Sequence, residues 1–154
     1  MRLNLCGLPR SGRHYEISAP VPPPMLRFIR SRASNRDFII NILEALALVV
    51  ALRTFHDVIG ARPLYSFLDS TAAFYAFLFG TSASDDLAAH ARLVHAILAT
   101  SVSDYWFEWL PSSANPADAP SRGITNPAAR RFHPDWPPFT LLASSHACLQ
   151  AFFD

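Results

Sequence analysis

The sequence contains no lysine, and arginine supplies all 13 of its permanently positive side chains. The formal net charge is +1 at pH 7 and only 16% of the residues are charged, so the chain lacks the overall basic field that would by itself indicate nucleic-acid binding. Arginine nevertheless suits two-pronged phosphate contacts better than lysine does. The charge balance therefore leaves a nucleic-acid partner open without predicting one.

Cysteines and targeting signals are equally scarce. Cys6 and Cys148 are the only cysteines and lack the spacing of metal ligands, which argues against a disulfide framework or a zinc site and predicts an intracellular location, cytoplasmic or nuclear. Residues 1–7 are too short and too polar for a signal peptide. The apolar run 38–52 is shorter than the roughly 20 residues of a membrane span and contains Glu44, so we expect no membrane partner.

Residues 40–52 are apolar on nearly every side of a helix, yet they include one carboxylate, Glu44. A helix that is hydrophobic all round is a buried helix. Burying a lone ionised carboxylate is costly unless something pairs with it. Glu44 is therefore expected to have a partner, which can be a metal ion, an arginine or a helix N-terminus.

Strands and helices alternate along the chain, whose 154 residues with 51% apolar side chains suit one globular domain. Apolar patterning predicts a strand at 14–19, helices at 25–32 and about 40–56, a strand at 62–68, helices at 72–79 and about 85–100, and a strand at 105–110. This alternation favours a layered α/β domain with a parallel pair of strands. Ligands of such sheets gather at the carboxyl ends of strands, where Asp69 ends one strand and Asp118 lies in the loop after another.

Single residues set the expected helix boundaries. Asn41 lies near the start of the long helix. Ser70 can cap the next helix and Gly80 can end it, and Ser82 or Ser84 can cap the helix after that.

Three segments resemble the ribonuclease H-like domain of retrotransposon reverse transcriptases. They are Ile-Asn-x-Leu-Glu-Ala around Glu44, Phe-Leu-Asp-Ser-Thr-Ala-Ala around Asp69, and Glu-Trp-Leu-Pro-Ser-Ser-Ala-Asn-Pro-Ala-Asp-Ala-Pro-Ser-Arg at 108–122. The spacer at 78–82 is similar to the Gly-x-Ser linker of that family. Each segment is weakly or moderately specific alone, and their shared order and spacing carry the resemblance from about residue 14 to residue 123.

The resemblance implies a five-stranded mixed sheet flanked by helices, with an active site in which carboxylates hold two divalent cations. By motif, Glu44, Asp69 and Asp118 match three of these carboxylates and are the candidate catalytic and metal-binding residues. The implied cofactor is Mg²⁺ or Mn²⁺, because hard cations take oxygen ligands and a pair of them can drive phosphodiester hydrolysis. The implied substrate is the RNA strand of an RNA–DNA hybrid, with Arg122 and Ser70 as candidate nucleic-acid contacts. The rest of a reverse transcriptase polyprotein is a candidate partner.

The first-strand aspartate of the family has no counterpart in this sequence. No aspartate precedes Asp37, which lies too close to Glu44, and Glu16 has the surroundings of a later strand. The resemblance therefore implies a partial fold, truncated at its N-terminus by two strands, with impaired hydrolysis by this chain alone. It also implies an exposed sheet edge along residues 62–69.

The chain divides into three expected parts. Residues 1–13 are expected to form a loose arm, 14–124 the partial ribonuclease H-like domain, and 125–154 a proline-rich tail with a short terminal helix at 141–153. The prolines within 20–24 are expected to interrupt regular structure.

Simpler interpretations exist for the same residues. Glu44 can form a structural ion pair with an arginine such as Arg53 or Arg62, Asp69 can be a helix N-cap, and Asp118 can be a turn residue. The aromatic residues of the last strand are expected to be core, namely Trp106, Phe107 and Trp109. For function, the alternatives are a non-catalytic relic that binds nucleic acid or a protein, and a chain that does not fold stably.

Overall fold

The computed structural model describes residues 2–7, 15–33, 35–117, 124 and 126–137, and gives side chains from residue 15 onward. In chain order the elements are β1 (Arg2–Gly7), β2 (Tyr15–Pro20), α1 (Pro23–Arg32), α2 (Arg36–Thr54), α3 (His56–Ile59), β3 (Pro63–Leu68), α4 (Thr71–Phe79), α5 (Asp85–Ser101), β4 (Asp104–Trp109), a 3₁₀ turn (Ser112–Ala114) and β5 (Arg130–Arg131).

The strands form two small sheets. Strands β3 and β4 run parallel with Tyr65 opposite Trp106, which confirms the predicted parallel pair. Strands β1 and β2 are antiparallel, and β5 adds to β2 in parallel. The described part of the chain is therefore a mixed α/β structure, as the alternation predicted. The ribonuclease H-like arrangement of the strands stays a prediction.

Helix α2 is the centre of the core. It packs against α5, α4 and β1. Its buried residues occupy about half of its circumference, and residues 40, 44, 47, 48 and 51 on the other half are partly buried; the buried residues are Ile42, Leu43, Ala45, Leu46, Val49, Val50 and Leu52. The helix begins at Arg36, before the predicted start, because Asn35 caps it by accepting the Phe38 N–H at 2.8 Å. Neither this helix nor another in the described residues is long and apolar enough to cross a membrane.

Helices α4 and α5 begin and end where the sequence predicted. Ser70 caps α4 and Gly80, at φ +68°, ends it in the left-handed conformation that glycine adopts without strain. Ser84, the second of the two predicted candidates, caps α5. Both boundaries are set by local side-chain chemistry, which explains why they are readable from the sequence alone.

The N-terminal expectations were wrong in two places. Residues 2–7 form β1 instead of a loose arm, because the main chain of β2 offers them an antiparallel partner. Helix α1 starts at Pro23, although we expected the prolines there to exclude a helix. In the first helical turn a proline costs nothing, since its missing N–H would have no partner within the helix.

The described part of the tail packs on the domain. Phe132 forms edge contacts with Tyr15 and Phe55, at ring-centroid distances of 5.5 and 5.3 Å. Asp135 accepts from Arg53 at 2.9 Å, and its backbone N–H donates to Thr54 Oγ1 at 2.8 Å. The tail up to residue 137 thus belongs to the same packed body, while the predicted helix 141–153 lies outside the described residues.

The predicted burial of the β4 aromatics is wrong for two of the three. Phe107 is buried, but Trp106 is 59% exposed and Trp109 is 43% exposed. Helix α4 packs against one face of the β3–β4 sheet, which buries Phe107. A strand with only one covered face leaves its alternate side chains, here Trp106, in solvent. Trp109 lies on the same face as Phe107 but is the last residue of β4, where its indole Nε1 bonds the Asp69 carbonyl.

Replacing Phe77 by alanine tests this core. Phe77 is fully buried in α4, and its ring centroid lies 5.7 Å from that of Phe107. We expect Phe77→Ala to lower the free energy of unfolding by about 3–5 kcal/mol in urea titrations, through lost contacts and the cavity left behind. Tyr75→Ala is the matched control, because Tyr75 lies in the same helix and is 54% exposed. Equal losses for both variants would contradict this packing.

Candidate carboxylate site

Two carboxylates meet where α2 passes the end of β3. Glu44 is partly buried near the middle of α2, and Asp69 directly follows Leu68, the last residue of β3. The hydrogen bond from the Leu110 N–H to the Leu68 oxygen, at 3.0 Å, continues the pairing of β3 and β4 to this end of the sheet. The structure therefore brings together two of the three predicted carboxylates at the carboxyl end of a parallel strand.

Ser70 connects the end of the strand to α2. Its Oγ accepts the Ala73 N–H at 3.1 Å as the N-cap of α4, so the helix cap is Ser70 and the interpretation of Asp69 as the cap is wrong. The Ser70 hydroxyl also lies 3.0 Å from Asn41 Oδ1 and within hydrogen-bonding reach of Glu44. Because a hydroxyl carries one proton, it can donate to only one of these two acceptors at a time.

Burial and a neighbouring charge both disfavour the ionised form of Glu44. Loss of hydration raises its pKa most, the negative charge of Asp69 raises it further, and the hydrogen bond from Ser70 acts in the opposite direction. Together they raise the pKa of Glu44 from its ordinary value of 4.5 to about 7. The carboxyl group therefore keeps its proton to a higher pH than an ordinary glutamate does, which suits proton exchange with a ligand.

One oxygen of Glu44 lacks a partner. Oε2 is buried and, in the described part of the chain, accepts no hydrogen bond. The arginine partner that was one alternative is not there, because Arg53 binds Asp135 and no arginine among the described residues bonds Glu44. A buried acceptor without a partner costs about 1–3 kcal/mol, so the site gains stability from whatever cation or donor fills it.

The donor set fits a hard divalent cation. Two adjacent carboxylates, with the amide oxygen of Asn41 and the hydroxyl of Ser70 beside them, are the oxygen ligands that Mg²⁺ and Mn²⁺ take. The residues that the structure describes contain no group of three histidine, cysteine or acidic side chains arranged to hold a metal. The predicted third carboxylate, Asp118, and the predicted contact Arg122 lie outside those residues.

Sequence reasoning missed two supporting contacts. Asn41 was expected near a helix start, yet it lies inside α2, one turn before Glu44, and contacts Ser70. Its spacing of three residues from Glu44 places both on one helix face and was the available signal. Trp109 Nε1 donates to the Asp69 carbonyl at 3.2 Å. This contact joins the ends of two strands, and no local sequence pattern predicts it.

Comparison with known proteins adds no family to this geometry. No protein-family model, no curated protein and no solved structure matches the chain. Functional inference therefore depends on the carboxylate pair and on the three sequence segments.

Glu44→Gln is expected to change how stability depends on pH. The folded protein holds the Glu44 proton more tightly than the unfolded chain, so wild-type stability falls as pH rises from about 4.5 to about 7. Allowing for solvent screening, we expect wild type to lose about 1–2 kcal/mol more than Glu44→Gln between pH 5 and pH 8. Urea unfolding at each pH measures this difference, and parallel pH profiles would contradict the raised pKa.

Proposed function

We propose that this chain is a ribonuclease H-like domain of retroelement origin, whose chemistry is metal-dependent hydrolysis of the RNA strand in RNA–DNA hybrids. The observation that carries the proposal is the proximity of Glu44 and Asp69, with a buried Glu44 oxygen that no described residue hydrogen-bonds. Rates well below those of a complete site are expected, because the first-strand aspartate has no counterpart in the sequence.

In this proposal Glu44 and Asp69 would hold the divalent cation, with Asp118 as the third carboxylate. When bound, such ions lower the pKa of a coordinated water and neutralise charge on the leaving oxygen. The contact between Ser70 and Asn41 holds the end of β3 against helix α2, so that the two carboxylates stay close together. Trp109 restrains the Asp69 main chain through its indole hydrogen bond.

Exposed arginines on α1 and at the start of α2 supply the expected contact with phosphates. Arg27 and Arg30 on α1 and Arg36 on α2 are exposed, and within the described residues none of them is bonded to a carboxylate. Arg32 instead binds Asp86 at 2.8 Å and so fixes α1 against the start of α5. Arg36 precedes Glu44 by about 12 Å along the helix, at ~1.5 Å per residue, which is within the footprint of a duplex.

Cleavage of a labelled RNA–DNA hybrid in Mg²⁺ and in Mn²⁺ tests the proposal. We expect slow cleavage that Asp69→Asn reduces by about 100-fold or more, the scale of losing one electrostatic stabiliser of a transition state. Asp57→Asn is the matched control, since the Asp57 side chain is fully exposed outside the site. Equal cleavage by wild type and Asp69→Asn would contradict a role for this site.

Metal binding gives a second measurement that does not need cleavage. Mg²⁺ or Mn²⁺ competes with the Glu44 proton, so at pH 8 either ion is expected to raise the unfolding midpoint of wild type. Glu44→Gln and Asp69→Asn are expected to lose that shift. A folded chain that gains no stability from either ion and cleaves no hybrid would contradict the proposed chemistry.

Replacing Arg27 and Arg30 together by glutamine tests the phosphate contacts. Each phosphate contact adds close to one unit to the slope of log affinity against log salt. We expect the double variant to bind the hybrid more weakly and to reduce the slope by about 1–2 units. Arg92→Gln, which changes a partly buried arginine on α5, is expected to leave the slope unchanged. An unchanged slope in the double variant would exclude α1 from the binding face.

The second candidate is a non-catalytic nucleic-acid-binding module. It is favoured by the same exposed arginines. Hybrid binding that follows the arginine variants, without cleavage and without a metal-dependent stability shift, distinguishes this module from the enzyme.

A further inference from the structure

The outward face of the β3–β4 sheet is an exposed surface of rings and carboxylates. Alternate residues of two parallel strands point to the same side, and three rows of opposed residues define this ring–acid face, namely Pro63 with Asp104, Tyr65 with Trp106, and Phe67 with Glu108. All six residues are exposed, whereas Ser66, Leu68 and Phe107 on the opposite face, against which α4 packs, are buried.

The aromatic side chains of this face are largely exposed to solvent. Tyr65 is 65% exposed, and Phe67 and Trp106 are each 59% exposed. Large apolar side chains that are contiguous in space mark interaction sites more often than scattered ones do. Tyr65 and Trp106 are directly opposite each other in neighbouring strands, so both side chains project from the same side of the sheet.

The charges on the ring–acid face have one sign. Asp104 and Glu108 flank Trp106 along β4, two residues away on either side, and in the described part of the chain no arginine is bonded to either of them. Trp106 Nε1 donates to Glu108 Oε2 at 3.3 Å, which holds that carboxylate beside the indole ring. The ring–acid face therefore attracts cations and repels a phosphate backbone, even though aromatic rings alone would suit stacked bases.

We propose that the ring–acid face binds an extended basic segment of a protein partner, with arginine or lysine at every second position. In an extended chain, residues four apart are separated by about 13 Å, which equals the spacing of Asp104 and Glu108 along β4. The outer two cations then meet these carboxylates, and the middle cation lies over Trp106, the aromatic ring that binds cations best. This surface is independent of the carboxylate site and of the function proposed for it.

The experiment measures binding of fluorescent peptides to the full chain by anisotropy at low salt. The probe alternates arginine and threonine over eight residues, one comparison peptide clusters the same arginines at one end, and another replaces arginine by glutamate. We expect the alternating peptide to bind at least ~10-fold more tightly than the clustered one, because only alternation matches the spacing along β4. The glutamate peptide is expected not to bind.

Variants of the face and matched variants elsewhere complete the test. Trp106→Thr, and Asp104→Asn combined with Glu108→Gln, are each expected to weaken binding of the alternating peptide by about 10-fold or more. Tyr75→Ala and Asp57→Asn remove an exposed ring and an exposed charge outside the face, and are expected to change binding less than about 2-fold.

Three results would overturn the proposal. Unchanged binding by the face variants would place the basic peptide elsewhere on the chain. Displacement of the peptide by single-stranded RNA, with loss of RNA binding in Trp106→Thr, would make the face a base-stacking surface. A dimer of the chain that Trp106→Thr dissociates would mean that a second copy covers the face.

Discussion

The cost of partly burying the Glu44 carboxylate near Asp69 is the constraint on which this structure depends. Burial and like charge both oppose ionisation, and together they raise the pKa of Glu44 to about 7. One oxygen, Oε2, has no hydrogen-bond partner in the described chain. A protein retains such a group at a cost in stability where it serves a ligand, and two adjacent carboxylates suit a divalent cation.

Helix α2 packs into the core with one face and carries the site residues on another. Its apolar residues pack against α5 and α4 and anchor it in the core. Its polar residues Asn41 and Glu44 face the end of β3, where Ser70 contacts both. The same helix therefore carries both the core and the site. The ring–acid face lies on the side of the β3–β4 sheet that faces away from α4, and its residues are not needed to hold Glu44 near Asp69.

Local chemistry made some features predictable and tertiary packing decided the others. Ser70, Gly80 and Ser84 mark helix ends through their own hydrogen bonds and backbone freedom, so their roles follow from the sequence. Burial of Trp106 was predicted wrongly, because it depends on whether a second layer covers the sheet, and a strand sequence does not specify that. At the site, the sequence predicted that Glu44 needs a partner, but Arg53 was excluded only by its contact with Asp135.

A carbon-13 NMR titration of the Glu44 side-chain carboxyl, with and without Mg²⁺, tests the central claim most directly. The structure predicts a titration midpoint at about pH 7 without metal. In Asp69→Asn the midpoint is expected to be lower than in wild type, because the neighbouring negative charge is gone. With Mg²⁺ the midpoint is expected to fall by at least about one pH unit, since the cation favours the ionised carboxylate. A midpoint near 4.5 that Mg²⁺ does not move would show a solvated surface carboxylate and would contradict the site.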